Sequence, residues 1–219
     1  DKECLYVYEI FLNGISQTGV GCVASVEAYE KNLIKKHEYT KPEKEDDRVN
    51  NIIKLNAQTG PVLLAYKNNN EISKLLNKVK NENPTYNVIA HDNSNHKIWI
   101  VEDNRRIREI LDEINSMDSL FIADGHHRSA AALRVKKELS KKNPNHIGDE
   151  NYNYFLAVAF PHSEMNILDY NRIIKGLNGH TTNTLLSNIE KKFSVKKHEI
   201  EYKPEKINTF GMYLDNNWY

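Results

Sequence analysis

Residues 120–133 read LFIADGHHRSAAAL, and the folding of this stretch organises the rest of the chain. Leu120, Phe121, Ile122 and Ala123 form an apolar run with the length and bounds of a buried strand. Asp124 and Gly125 end it, because glycine accepts the backbone angles of a sharp strand-to-helix turn. His126, His127 and Arg128 follow, and Ser129 to Leu133 open an alanine-rich helix. A helix that begins directly after a glycine turn leaves its first amide N–H groups unpaired at the positive end of its dipole, an arrangement that suits phosphate. Arg128 adds a two-donor clamp and a histidine can add another donor. The same residues also have a plainer reading: Asp124 as a helix cap, the histidines as surface residues, and Arg128 paired with a neighbouring carboxylate.

The second cluster is Lys35 to Asp47, KKHEYTKPEKEDD. Pro42 rules out a continuous helix, which leaves His37, Glu38, Tyr39 and Thr40 on an extended loop. A helix is expected from about Glu45, with Asp46 and Asp47 near its start and Arg48, Ile52, Ile53 and Leu55 along it. A run of charges is often just a solvated face. The mixture of His, Glu, Thr, Asp and Arg is nevertheless more varied than solvation requires, and it is the mixture that chemistry uses.

Around these clusters the chain alternates hairpins with single helices. Leu5–Leu12 and Ser16–Val26 flank Asn13-Gly14, the strongest short-range hairpin signal. Pro61 to Tyr66 reads as a strand after the turn Gln58-Thr59-Gly60-Pro61. Ile72, Leu75, Leu76 and Val79 mark a helix, and Tyr86–His91 with His96–Val101 a second hairpin. Asp103 caps a helix whose Ile107, Ile110, Leu111 and Ile114 share a face. Beyond the central motif come a strand over Tyr152–Phe160, a bent strand over Met165–Leu168 and Asn171–Ile174, and a helix over Asn183–Phe193. Strands over Val195–Ile200 and Thr209–Leu214 close the chain. The expected fold is α+β, a mixed and largely antiparallel sheet with packed helices.

A chain of 219 residues can bury a real core, as one compact region over 1–219 or as two lobes, 1–101 and 102–219. It starts without methionine directly before a strand and stops in one at Trp218-Tyr219, so a fragment of a longer polypeptide lacking both ends is expected. Lys plus Arg number 30 and Asp plus Glu 30, a balance that argues against nucleic acid and membrane surfaces as partners. No apolar run approaches the roughly 20 residues a membrane span needs, and no secretory signal is read, so a cytoplasmic location is expected. Cys4 and Cys22 lack metal-binding spacing and are read as buried thiols of a reducing compartment. There is no G-x-G-x-x-G, no G-x-x-x-x-G-K-[ST], no G-x-S-x-G and no H-E-x-x-H, so the usual nucleotide folds, α/β-hydrolases and helical zinc sites find no support.

Ala123-Asp124-Gly125-His126-His127-Arg128 followed by Ala130 and Ala131 resembles the signature of the bacterial and archaeal family called domain of unknown function 1015. His37-Glu38-Tyr39-Thr40 with Lys44, Asp46, Asp47 and Arg48 is similar to that family's other signature. The resemblance covers nearly the whole chain. More distantly, Gly125 to Arg128 with Ala131 resembles the Gly-x-x-Arg phosphate loop of the ParB and sulfiredoxin superfamily, which includes free serine kinases. Sulfiredoxin needs a cysteine where this chain has His126 or His127, and ParB-type CTPases carry a DNA-binding helical region not seen here.

The resemblance therefore implies a kinase that moves phosphate from a nucleotide, ATP or ADP with Mg2+, to the hydroxyl of a small metabolite, free L-serine being the first candidate. In that reading Asp124, Gly125, His126, His127 and Arg128 hold the donor's phosphates, with Arg48 and Thr40 as further contacts. Glu38 is the first choice of base with His37 beside it, and Asp47 or Asp124 contacts the metal; Glu38 and Asp47 could exchange roles. The competing readings are a ParB-like nucleotide-binding regulator without metabolite turnover and a metal-dependent phosphohydrolase built on His37, Asp124 and His126. Oligomeric state is left open.

Overall fold

The computed structural model describes residues 2–166 and 169–219. The chain divides into two compact units, Asp1–Asn166 and Ile167–Tyr219.

The first unit is built on an eight-stranded sheet. Its strands are β1 (Leu5–Leu12), β2 (Ile15–Ser25), β3 (Ile34–Lys35), β4 (Val62–Tyr66), β5 (Tyr86–Ile89), β6 (Asn95–Val101), β7 (Leu120–Asp124) and β8 (Tyr154–Pro161). They lie in the order β3-β7-β4-β8-β2-β1-β6-β5. The β3–β7 and β4–β8 pairs are parallel and the others antiparallel. This is the mixed, largely antiparallel α+β arrangement expected from the hairpin signals. The sheet runs through residue 101 without a break, because β7 and β8 pair with β4 and β2.

Five helices belong to this unit: α1 (Val26–Glu30), α2 (Pro42–Leu55), α3 (Asn70–Lys80), α4 (Asn104–Asn115) and α5 (His126–Lys142). Val7, Val20, Leu64, Ile72, Ile110, Ile122, Phe155 and Ala157 are among the fully buried core residues. A second cluster, Val49, Ala131 and Val135, joins α2 to α5. Arg134 reinforces that joint, with Glu45 at 3.2 Å and Asp46 at 2.5 Å.

Three local expectations need correction. The strand before the glycine turn is only half covered: Ile122 is buried, whereas Phe121, Ala123 and Asp124 are exposed, because β3, its neighbour toward the sheet edge, is two residues long. The second helix starts at Pro42, not near Glu45. Proline suits the first helical position, where its missing N–H would have no partner anyway. The helix after β7 likewise starts at His126, directly after Gly125.

In the second unit α6 (Thr182–Glu190) opens with a reciprocal Thr181–Thr184 cap. β9 (Tyr213–Leu214) and β10 (Asn217–Trp218) form a short hairpin. Val195–Ile200 is not a strand beyond one bridge from His198 to Trp218, and Thr209–Leu214 is paired only at its end. Asn171–Ile174 is irregular, with Ile173 and Ile174 exposed. The expected strand at Met165–Leu168 falls partly on residues 167 and 168, outside the described residues.

Candidate functional site

Gly125 adopts φ 104° and forms the N-cap of the 17-residue α5 with no side chain capping it. L side chains disfavour that backbone angle, so glycine is what permits strand to become helix in one step. The opening amides of α5 therefore start a long helix without a side-chain acceptor. Glycine serves a second purpose here: a Cβ at Gly125 would stand 3.1 Å from Nε of Arg128.

Arg128 folds back over this turn. Its Nη2 pairs with Asp124 and its Nη1 donates to the carbonyl of Pro61. The plainer reading of Arg128 thus describes its state in the free protein, while Asp124 does not cap the helix. Arg128 and Arg48 line one pocket of about 310 Å3 with Asn51, Gln58, Thr59 and Gly60. Gln58 is fixed by two bonds to the β8 backbone, donating to the Tyr154 carbonyl at 2.9 Å and accepting from the Leu156 N–H at 3.0 Å. Two cations distant in sequence therefore face one small polar cavity beside the uncapped helix.

The loop before α2 is bound to the first turn of α5. His126 is buried, and its Nε2 accepts the His37 N–H at 3.3 Å. Its Nδ1 lies 3.5 Å from Oε2 of Glu38, and its ring meets the His37 ring edge-to-face, 4.4 Å between centroids. An Nε2 that accepts must carry its proton on Nδ1, so neutral His126 turns a donor toward the Glu38 carboxylate. Burial, helped by the neighbouring His37, holds the His126 pKa below the ordinary value and favours that neutral form. His127 repeats the pattern, accepting the Lys41 N–H at 3.2 Å.

Most residues singled out from sequence therefore fall into two contiguous groups: His37 and Glu38 with His126 and His127, and Asp124, Gly125 and Arg128 with Arg48. Thr40 turns elsewhere, its hydroxyl donating to Glu45. Asp47 is exposed on α2, and its side chain makes no ion pair or hydrogen bond among the described residues. Lys41, Pro61 and Gln58 enter the site through backbone groups or backbone contacts. Only the turn signal at Gln58-Thr59-Gly60-Pro61 hinted at this, and the antiparallel pairing of β4 with β7 is what brings that turn to Asp124.

Among the described residues no three His, Cys, Asp or Glu side chains converge where a metal ion could sit. A nucleotide-bound Mg2+ requires only one or two protein carboxylates, the rest being phosphate and water. At the mouth of the glycine turn stands one carboxylate, Asp124, paired with Arg128. No helix among the described residues is long and apolar enough to cross a membrane.

The family model described as "Protein of unknown function (DUF1015)" matches residues 1–219. The chain belongs to this family. No curated protein and no solved structure matches it. The two segments whose sequences resemble the family's signatures are joined by the His126–His37 and His127–Lys41 bonds.

Proposed function

We propose that the chain is a nucleotide-dependent kinase that transfers phosphate from ATP or ADP to the hydroxyl of a small metabolite, with free L-serine as the first candidate. The observation that carries this reading is the uncapped start of α5 beside a pocket lined by both Arg48 and Arg128. Phosphoryl transfer demands chiefly positioning and charge neutralisation, with a base near the acceptor hydroxyl. The likeness of Gly125 to Arg128 to the phosphate loop of free serine kinases supports the same reading.

In this scheme the opening amides of α5 and the two guanidinium groups hold the donor's terminal phosphates. Arg128 exchanges the Pro61 carbonyl for phosphate oxygens when the donor binds. Mg2+ would supply further charge neutralisation, and Asp124 or Asp47 would hold it. Glu38 takes the proton from the acceptor hydroxyl as its oxygen bonds to the terminal phosphorus and the shortened nucleotide leaves. His126 positions Glu38 through its Nδ1–H.

The test is incubation with L-serine, Mg2+ and either ATP or ADP, with O-phosphoserine followed by phosphorus NMR. Product that disappears in Glu38→Ala while nucleotide still binds supports the reading. Nucleotide bound without product points to the regulator, and free phosphate released without serine to the phosphohydrolase.

A further inference from the structure

A second polar pocket, of about 230 Å3, lies at the opposite end of β4 from the glycine turn. Leu63 pairs with Asp124, and Tyr66, three residues further on, borders this pocket about 10 Å along the strand. Thr18, Ser73, Asn77, Lys80 and Glu164 also line it.

Its charged groups are held tightly, with bonding capacity left over. Lys80 pairs with the buried Glu9 and donates to Thr18 Oγ1 at 2.9 Å. An ammonium has three donors, so one remains. Glu9 is engaged by three partners, with Lys97 at 3.4 Å and Ser16 Oγ at 3.2 Å besides Lys80. Glu164 accepts the Thr18 N–H at 2.5 Å through Oε2, and Oε1 has no partner among the described residues. The Tyr66 hydroxyl is buried and has no hydrogen-bond partner among the described residues. Burial, with the carboxylate of Glu164 nearby, raises its pKa far above the ordinary tyrosine value, so it stays a neutral donor. A buried hydroxyl left unpaired is destabilising, and sites that retain such a group need a reason.

The unused groups are an ammonium N–H, a phenol O–H and a carboxylate oxygen, all lining one pocket. We propose that this pocket binds a small zwitterion of the α-amino acid class, its carboxylate on Lys80 and Tyr66 and its ammonium on Glu164. The site is separate from the glycine turn and independent of the phosphoryl-transfer reading.

Glycine is the probe, because it has both charges and lacks the hydroxyl a phosphoryl acceptor needs. Calorimetric titration of the full chain is expected to give saturable binding. Tyr66→Phe and Glu164→Gln are each expected to weaken it about tenfold, as loss of one hydrogen bond to a charged group does. Tyr66→Phe removes only an unpaired oxygen and should melt no lower than the parent, which separates lost binding from lost folding. Acetate and methylammonium, with one charge each, are expected to bind more weakly than glycine. No glycine binding at tens of millimolar, an unchanged affinity in Tyr66→Phe, or acetate binding as tightly as glycine would each overturn the proposal, the first by assigning the Tyr66 hydroxyl to a buried water.

Discussion

Nε2 of His126 accepts the backbone N–H of His37 across 89 residues of sequence. This bond fixes the tautomer of a buried imidazole, ties the loop before α2 to the first turn of α5, and directs Nδ1–H at Glu38. Removing it should release loop and carboxylate together. His126→Ala removes a buried, hydrogen-bonded side chain and is expected to cost about 1–3 kcal/mol in urea unfolding and to lower turnover more than nucleotide affinity.

The burial of His126 gives the protein a pH dependence of known sign. The pKa of His126 is lower when folded than when unfolded, so below the ordinary histidine value the unfolded chain binds more protons. Stability should therefore fall as pH drops below about 6.5 toward the folded-state value. Urea midpoints between pH 5 and 8 measure this, and His126→Gln should flatten the slope in that window.

Gly125→Ala tests the turn. At φ 104° an alanine should cost about 1–2 kcal/mol, and its Cβ would also displace the Arg128 guanidinium. Nucleotide affinity should suffer more than the melting temperature, since Arg128 loses its place while the helix persists.

Gln58→Ala removes two bonds to the β8 backbone and opens the wall between Arg48 and Arg128. A loss of about 1–2 kcal/mol of stability is expected, together with weaker anion binding, by urea unfolding and phosphate titration.

Cys22 is a chemical control on the fold. Burial pushes its thiol pKa up to about 11, so alkylation by iodoacetamide at pH 8 should be slow in the folded protein and fast in urea. Mass spectrometry of the Cys22 peptide reads both rates.

Much of this architecture was legible because its signals are local. Asn13-Gly14 between alternating strands and Asp103 ahead of an apolar stripe determine their elements within a dozen residues. The glycine turn was legible for the same reason. The helix starts at Pro42 and His126 are hard to read from sequence, because neither has a side-chain cap to announce it. The short strands of the second unit owe little to propensity, and Val195–Ile200 carries Lys196, Lys197, His198 and Glu199 between its two apolar ends and pairs only through the His198–Trp218 bridge. Within the site, the residue types were readable but the joins were not. Nothing in the sequence pairs His126 with a backbone amide 89 residues away or turns Arg128 onto the Pro61 carbonyl. The first contact depends on β3 pairing with β7, the second on β4 pairing with β7.

The proposed kinase reading requires that the start of α5, with Arg128 and Arg48, bind the phosphates of a nucleotide. Calorimetric titration of ADP and ATP with Mg2+ into the parent, Arg128→Ala and Arg48→Ala tests it most directly. Saturable binding by the parent is predicted, weakened about tenfold or more by either substitution with the fold intact by circular dichroism. No binding by the folded parent, or affinity unchanged when both arginines are removed, would contradict it.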